Sequence, residues 1–295
     1  MVEEFIAKVL LPTTLNGLAF GISISLLSVG LTLVFGIAKI INFAHGEMFM
    51  MGGWVAFVSI LFLENFWVGL LIAVLFMSGF GFLIERYLIS RLYTQQHSPL
   101  LILILTFGLA LIIRESVRVF TERDYTMPDP VGVLVPIAGT HYPVYRLLVI
   151  TIGLIFYLFF WFLINRTRLG IIIRAASEDS EMVSCLGINV RRVYTYIFVL
   201  GSALAAFAGV IMTPLWSLTV DIGATMILWA FIIIIIGGMG SIGGSILASI
   251  LFGQIFALGS IWLEPREMEI LIFGTLVTIL LVRPRGFFGK PGVLE

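Results

Sequence analysis

The sequence has little charge and a single cysteine. Only 12% of its 295 residues are Asp, Glu, Lys or Arg, whereas 60% are hydrophobic, which is far above the apolar share of a soluble domain. Basic and acidic side chains each number 17, so the net charge of zero gives no reason to expect nucleic acid as a partner. The single Cys185 excludes an internal disulfide framework and a cysteine-based metal cluster.

The sequence also lacks the motifs of nucleotide hydrolysis and of common hydrolases. The only similar segment, 286–291, has neither the spacing of a phosphate-binding G-x-x-x-x-G-K-[ST] loop nor its hydroxyl residue. His45, His97 and His141 lie on separate segments, without a zinc-protease or G-x-S-x-G context. We therefore expect no enzymatic activity, no metal and no cofactor in this chain, which cannot hydrolyse ATP alone.

Long charge-free runs dominate the sequence. A membrane helix needs about 20 apolar residues, because the hydrocarbon core is roughly 30 Å thick and a helix rises about 1.5 Å per residue. Continuous runs of this length favour helices over the short alternating strands of a membrane barrel. The sequence predicts one all-α, polytopic transmembrane domain, 1–295, with broken or re-entrant helices and spans near 13–36, 42–63, 66–85, 99–120, 146–165, 193–213, 225–237, 244–262 and 268–282.

Basic residues indicate the orientation, because Lys and Arg concentrate in cytoplasmic segments. Loop 166–192 is rich in arginine and is predicted to be cytoplasmic, which makes 121–145 an external loop. The amino terminus is then outside the inner membrane and the carboxyl terminus inside. Nine crossings fit this topology, and eight crossings with one re-entrant segment are the alternative. The acidic start lacks a cleavage signal, so we expect the first helix to be retained.

A polar interruption occurs at 42–47. Only 16 apolar residues separate Glu47 from Glu64, so the span must begin near Asn42 and carry His45 and Glu47 to membrane depth. Ionisable residues at that depth are costly and are functional candidates by default. The alternative is an interfacial turn whose polar groups are hydrated.

A second interruption has five glycines between 237 and 244, among them Gly237, Gly238, Gly240 and Gly243. Glycines interrupt helices and let backbones approach closely. Tight packing is one interpretation. A broken helix that lines a polar path is the other, because irregular backbone at membrane depth must face protein or water. Both interruptions are therefore candidate parts of a translocation path.

Loop 166–192 contains the pattern of a short helix. Ser177 is a suitable N-cap and Gly187 a natural stop. The first turn is acidic, which suits the helix dipole, and one face is apolar. These residues are Glu178, Asp179 and Glu181 in the first turn, and Met182, Val183 and Leu186 on the face. Such a helix could lie on lipid, but its acidic turn disfavours anionic headgroups, and a groove on a soluble partner fits better.

The chain resembles, over nearly its whole length, the permeases of branched-chain amino-acid ABC importers. The resemblance depends on motifs at 41–47, 174–188, 205–209 and 237–243, in this order and spacing. It implies transport of branched-chain amino acids across the inner membrane. It also implies a second homologous permease, two cytoplasmic ATPase subunits that bind the ATP, and an external solute-binding protein. The segment 178–187 then corresponds to the helix that couples ATPase motion to the membrane domain.

The resemblance leaves the solute open. Urea and short-amide permeases share much of the pattern, and Trp229 stands where many relatives have a basic residue. A proton-coupled carrier, with His45 and Glu47 as titrating groups, is an alternative of a different class. Such a carrier would need no ATPase partner.

Overall fold

The computed structural model describes residues 6–93, 98–121, 123–137 and 139–289. The acidic start, 1–4, and His97 lie outside these residues, as does the end of segment 286–291. Within them the chain forms eleven α-helices and one two-stranded antiparallel sheet. The predicted all-α class is confirmed.

The helices are labelled in chain order, and a π-helical turn, Ile6–Leu10, leads into the first of them. They are α1 (Leu11–Ala38), α2 (Ala44–Leu63), α3 (Phe66–Tyr87), α4 (Ser98–Phe120), α5 (Val144–Arg166), α6 (Arg168–Glu178), α7 (Ser180–Cys185), α8 (Val190–Met212), α9 (Ile222–Gly237), α10 (Ile242–Gly259) and α11 (Pro265–Val282). A 3-10 turn, Ile89–Arg91, follows α3. The strands β1 (Leu134–Ile137) and β2 (Thr140–Pro143) form a hairpin in the predicted external loop.

Each of the nine predicted spans overlaps one helix. Among the described residues, seven helices are long and apolar enough to cross a membrane. The eighth, α9, has only 16 residues, and the ninth, α11, begins with charged side chains such as Arg266 and Glu267. The estimate of eight or nine spans therefore agrees approximately with the structure, and the chain is a multi-pass membrane protein.

Small residues hold the central helix α1 against α10. A Cβ atom at Gly21 would lie 2.7 Å from the carbonyl oxygen of Ser249, and Gly17 faces Gly253 in the same way. Further along this seam, the hydroxyls of Thr32 and Ser245 are 2.6 Å apart. Helices in lipid associate mainly by close packing and interhelical hydrogen bonds, so this seam stabilises the core where the hydrophobic effect between helices is weak.

A second seam joins α2 to α8. A Cβ atom at Gly52 would lie 2.5 Å from the Cα of Ala206, and one at Gly209 would overlap the carbonyl of Phe49. The small residues Ala206 and Gly209 are therefore packed against α2. Large apolar side chains such as Leu158, which is 69% exposed in the isolated chain, lie on outer faces where lipid or another membrane subunit replaces water.

Candidate functional site

The first interruption forms a buried polar turn between α1 and α2. Lys39 ends α1 in the left-handed conformation, with φ of 52°, and α2 begins at Ala44, two residues after the predicted start. The Asn42 side chain accepts a hydrogen bond from the backbone N–H of Ala44 at 3.1 Å. Asn42 and His45 are both buried by protein, so the alternative of a hydrated interfacial turn is wrong.

His45 lies where three helices meet. Its Nε2 is 3.2 Å from the carbonyl oxygen of Leu27, and because a carbonyl only accepts, Nε2 is the protonated nitrogen. Gly30 of α1 and Gly201 of α8 leave the space that the ring occupies. Its Nδ1 has no hydrogen-bond partner within the described ranges. His45 thus joins α2 to α1 through this hydrogen bond.

Glu47 is 1% exposed and forms an ion pair with Arg114 of α4. Both contacts involve Oε1, which accepts from Nη2 and, at 3.1 Å, from Nε. Its Oε2 has no partner in the part of the chain that is described, and it lies against Gly223 of α9, which has no side chain to displace it. The pair therefore ties α2 to α4 beside the start of α9.

This ion pair continues to the surface through further charged groups. The Nε of Arg114 is 4.0 Å from Oδ1 of Asp221, and Arg118 donates to the same oxygen at 2.9 Å. We call Glu47, Arg114, Asp221 and Arg118 the charge chain. The exposed side-chain fraction rises along it, from 1% at Glu47 to 69% at Asp221. A buried carboxylate is therefore linked to an open polar surface at the ends of α4 and α9.

Sequence reasoning did not find the partners of Glu47, because Arg114 is 67 positions away and Asp221 lies still further along the chain. A local signal was present. Arg114 and Arg118 are four residues apart on a helix whose only other charged residue is Glu115, and they therefore lie on one face of it. Because charged residues within membrane helices usually pair with opposite charges, two arginines on one face predict acidic partners on a neighbouring helix.

The second interruption is a true break between α9 and α10. Gly238 and Gly240 have φ of +99° and +85°, a backbone region that favours glycine. The Ser241 hydroxyl accepts a hydrogen bond from the N–H of Gly244 at 3.1 Å and caps α10. A Cβ atom at Gly237 would lie 2.5 Å from the carbonyl oxygen of Gly244, so these two backbones touch.

One expectation for this segment is wrong. Gly243 was expected to let two backbones meet, but a Cβ atom there would meet open space. The close approach instead belongs to its neighbour Gly244, because the helix that begins at Ile242 turns that residue toward Gly237 and leaves Gly243 exposed.

The two interruptions lie at opposite ends of α9. Gly223, in its first turn, packs on Gly46 and Glu47, whereas Gly237 ends it at the glycine break. At about 1.5 Å per residue, some 21 Å of helix separates these two glycines. The structure therefore does not bring the interruptions together, and a path that uses both must run along α9.

The loop between α5 and α8 differs from the predicted single helix. Ser177 and Glu178 belong to α6, which begins upstream because the Thr167 hydroxyl caps it at Gly170. The N-cap of α7 is Asp179, whose side chain accepts from the N–H of Met182 at 2.9 Å. Ser177 is therefore not the cap, and an extended residue, Asp179, separates two short helices.

The apolar face of α7 is divided. Met182 and Leu186 are 60% and 73% exposed, as the prediction requires, but Val183 is buried against the rest of the chain. Val183 is therefore not free to enter a partner's groove. Gly187, with φ of +83°, ends the helix as expected.

A cavity of about 460 Å³ connects this loop with the glycine break. It lies between the end of α1, α6 and the segment before α10. Its lining includes Lys39, Arg174, Glu178, Gly240 and Ser241. A movement of α6 would therefore alter the surroundings of the broken helix directly.

Comparison with known proteins gives the family. Residues 13–281 match the family model described as "Branched-chain amino acid transport system / permease component". The chain is 32% identical to the high-affinity branched-chain amino acid transport system permease protein LivH of Escherichia coli K12, over 99% of both chains. It is 31% identical to the corresponding protein BraD of Pseudomonas aeruginosa, over 94% of this chain and 95% of that one.

A more distant relative is the probable branched-chain amino acid transport permease protein LivM of Methanocaldococcus jannaschii. It is 27% identical over 51% of this chain and 48% of its own. The chain has no match among solved structures. The match to the family model covers almost all the predicted spans and includes both interruptions and the α6–α7 loop. The chain therefore belongs to the family of permease components of branched-chain amino acid transport systems.

Proposed function

We propose that this chain is a permease subunit of an ATP-driven importer that carries branched-chain amino acids across the inner membrane. The observation that carries the proposal is the near full-length similarity to permeases named for that transport. The amino terminus is outside and the carboxyl terminus is cytoplasmic. The chain performs no chemistry of its own, because ATP is bound by separate subunits.

The partners are a second homologous permease, two cytoplasmic ATPase subunits and an external solute-binding protein. The similarity of one chain to both LivH and LivM proteins supports a pair of related permeases. The exposed side chains of Met182 and Leu186, in the arginine-rich loop, support an ATPase contact. The cavity beside α6 offers a route from that contact to the glycine break.

The translocation path, in this proposal, follows α9 between the two interruptions. At one end it passes the turn that holds Asn42, His45 and Glu47. At the other end it passes the glycine break. The relevant glycines are Gly237, Gly238, Gly240 and Gly243. Irregular backbone and buried charge are both tolerated in a membrane where they adjoin a polar cavity, which supports this route.

Reconstitution tests the function. The permease pair, its ATPases and the binding protein are placed in liposomes, and uptake of labelled leucine is measured with and without ATP. We expect uptake that depends on ATP and persists when an ionophore removes the proton gradient. Uptake that follows the proton gradient without ATP would establish the carrier alternative. Uptake of urea or acetamide in place of leucine would change the assigned solute.

The ATPase contact gives a separate prediction. The double change Met182→Ala and Leu186→Ala should release the ATPase subunits on purification, or abolish stimulation of hydrolysis by solute. Each side chain would contribute about 1.5–3 kcal/mol if a groove buried it fully, less the cost of association. Co-purification and solute-stimulated hydrolysis measure the two effects.

The matched control for this variant is Leu281→Ala with Val282→Ala. These side chains are 80% and 75% exposed at the end of α11, outside the α6–α7 loop. The control should retain the ATPases. If the Met182 and Leu186 variant also retains them and transports normally, the coupling contact lies elsewhere in the chain.

A further inference from the structure

A second cavity, of about 210 Å³, lies at the end of α1 opposite the α6–α7 loop. It is formed by the first turns of α1 and α5, the last turns of α10 and the segment after α8. Its lining includes Asn16, Phe20, Arg146, Trp216, Phe256 and Ser260. This volume exceeds the space that a single water molecule needs and therefore suits a small organic solute.

One wall of this cavity carries the positive charge of Arg146. Arg146 donates a hydrogen bond to Oδ1 of Asn16, and the Tyr142 hydroxyl donates to the same oxygen at 3.0 Å. Within the described ranges, no carboxylate lies within 4.0 Å of Arg146. A guanidinium has five N–H donors in a planar fork, so most of its donors remain available.

The neighbouring tyrosine does not supply the missing negative charge. Burial raises the pKa of the Tyr142 hydroxyl above its usual range, and the opposing effect of Arg146 is the smaller one. The phenol is therefore neutral at physiological pH. Among the described residues neither a carboxylate nor a phenolate neutralises the guanidinium, so its fork suits an anionic ligand.

The lining also contains a cluster of packed aromatic rings. The ring centroids of Phe20 and Phe256 are 5.0 Å apart, and that of Trp216 is 5.6 Å from Phe256. Trp229 packs behind them, with its ring nearly perpendicular to Trp216 at 6.0 Å. Packed rings of this kind are well suited to hold an aliphatic group at low entropic cost.

We propose that this cavity is an outer binding site for a small aliphatic carboxylate, with the carboxylate on Arg146 and the hydrocarbon part against Phe20, Trp216 and Phe256. A guanidinium recognises a carboxylate through two parallel hydrogen bonds, which gives orientation as well as affinity. The inference rests on the proposed function in one respect, because branched-chain amino acids belong to this chemical class. The site would hold solute before it reaches the charge chain.

Three probe molecules test which groups of the ligand are required for binding. Leucine has the carboxylate and the branched tail, 4-methylpentanoate has both but no ammonium group, and leucinamide lacks the carboxylate. Binding is measured calorimetrically on the purified permease complex without its external binding protein. Leucine and 4-methylpentanoate should bind, whereas leucinamide should bind at least ten-fold more weakly.

Variants assign the binding to this cavity. Arg146→Gln should weaken leucine binding at least ten-fold, because charge-assisted hydrogen bonds are lost. Asn16→Asp is the second variant, since it keeps the arginine but supplies an internal carboxylate that competes with the solute. The control is Arg266→Gln, an exposed arginine at the start of α11. Thermal unfolding shows whether each variant is folded.

Several results would overturn the proposal. These are equal binding of leucinamide and leucine, or wild-type affinity in both Arg146→Gln and Asn16→Asp. A third is a phospholipid that co-purifies through Arg146 and is not displaced by leucine, because the anion would then be a lipid phosphate. ATP-driven uptake by the wild-type complex is measured separately. Uptake without binding at this cavity rejects this site alone, whereas binding without uptake rejects the proposed function alone.

Discussion

Replacing Glu47 with Gln is expected to reduce ATP-driven uptake at least ten-fold, whereas Glu64→Gln should leave uptake near the wild-type level. Glu47 is buried in an ion pair, and its loss leaves Arg114, which is only 20% exposed, without its partner. Removing one member of a buried pair typically costs about 3–5 kcal/mol, which is several orders of magnitude in an equilibrium. Glu64 is exposed at the end of α2, where water solvates either side chain.

A double-mutant cycle shows whether Glu47→Gln lowers uptake by destabilising the protein or by removing a charge that transport needs. Arg114→Gln alone should destabilise the complex, because the Glu47 carboxylate then remains buried without compensation. The pair Glu47→Gln with Arg114→Gln removes both charges and should recover much of the thermal stability. If uptake stays low in that stable double variant, the charges act in transport. Equal and negligible effects of Glu47→Gln and Glu64→Gln would contradict the assignment of Glu47 to the path.

Gly244→Leu is expected to prevent accumulation of folded permease, whereas Gly243→Leu should be tolerated. A Cβ atom at Gly244 would overlap the carbonyl oxygen of Gly237, and backbone cannot move aside as a flexible side chain can. The adjacent Gly243 faces open space in the same turn of α10 and is therefore a closely matched control. The yield of monodisperse complex after membrane extraction measures the difference.

The yield of folded complex for Gly240→Leu should lie between the yields of Gly243→Leu and Gly244→Leu. Its φ of +85° is unfavourable for a residue with a side chain, at a cost of about 1–2 kcal/mol, although little lies near its Cβ position. We expect reduced yield with some remaining uptake. Comparable yields for Gly243→Leu and Gly244→Leu would show that the two helix ends do not touch in the assembled transporter.

Sequence reasoning succeeded where one local property decided the structure. The length that a span requires located the start of α2 within two residues and carried Glu47 into the protein interior. Helix-breaking glycines located the gap between α9 and α10. In each case the constraint acts within about 20 residues, so a single pattern contains it.

Sequence reasoning failed where the structure depended on contacts between distant segments or on a choice between competing local signals. Nothing near Glu47 indicates Arg114, because the pairing depends on how α2 packs against α4. Ser177 and Asp179 are both good N-caps, and the choice between them depended on an earlier helix start at Thr167. The choice of Gly244 over Gly243 as the contact residue required the rotation of α10 about its axis. The hairpin of β1 and β2 was not anticipated, because residues 121–145 were expected only as an external loop.

The seam between α1 and α10 constrains how the protein is made. These two helices lie far apart in the chain, because about 200 residues separate Ala38 from Ile242. At a synthesis rate of about 5–20 residues per second, α1 remains roughly 10–40 s without its principal neighbour. During that interval the face of α1 that later packs on α10 contacts lipid or the insertion machinery instead. Premature termination between α8 and α10 would therefore leave an inserted fragment that lacks the α1–α10 seam, a ready substrate for membrane proteases.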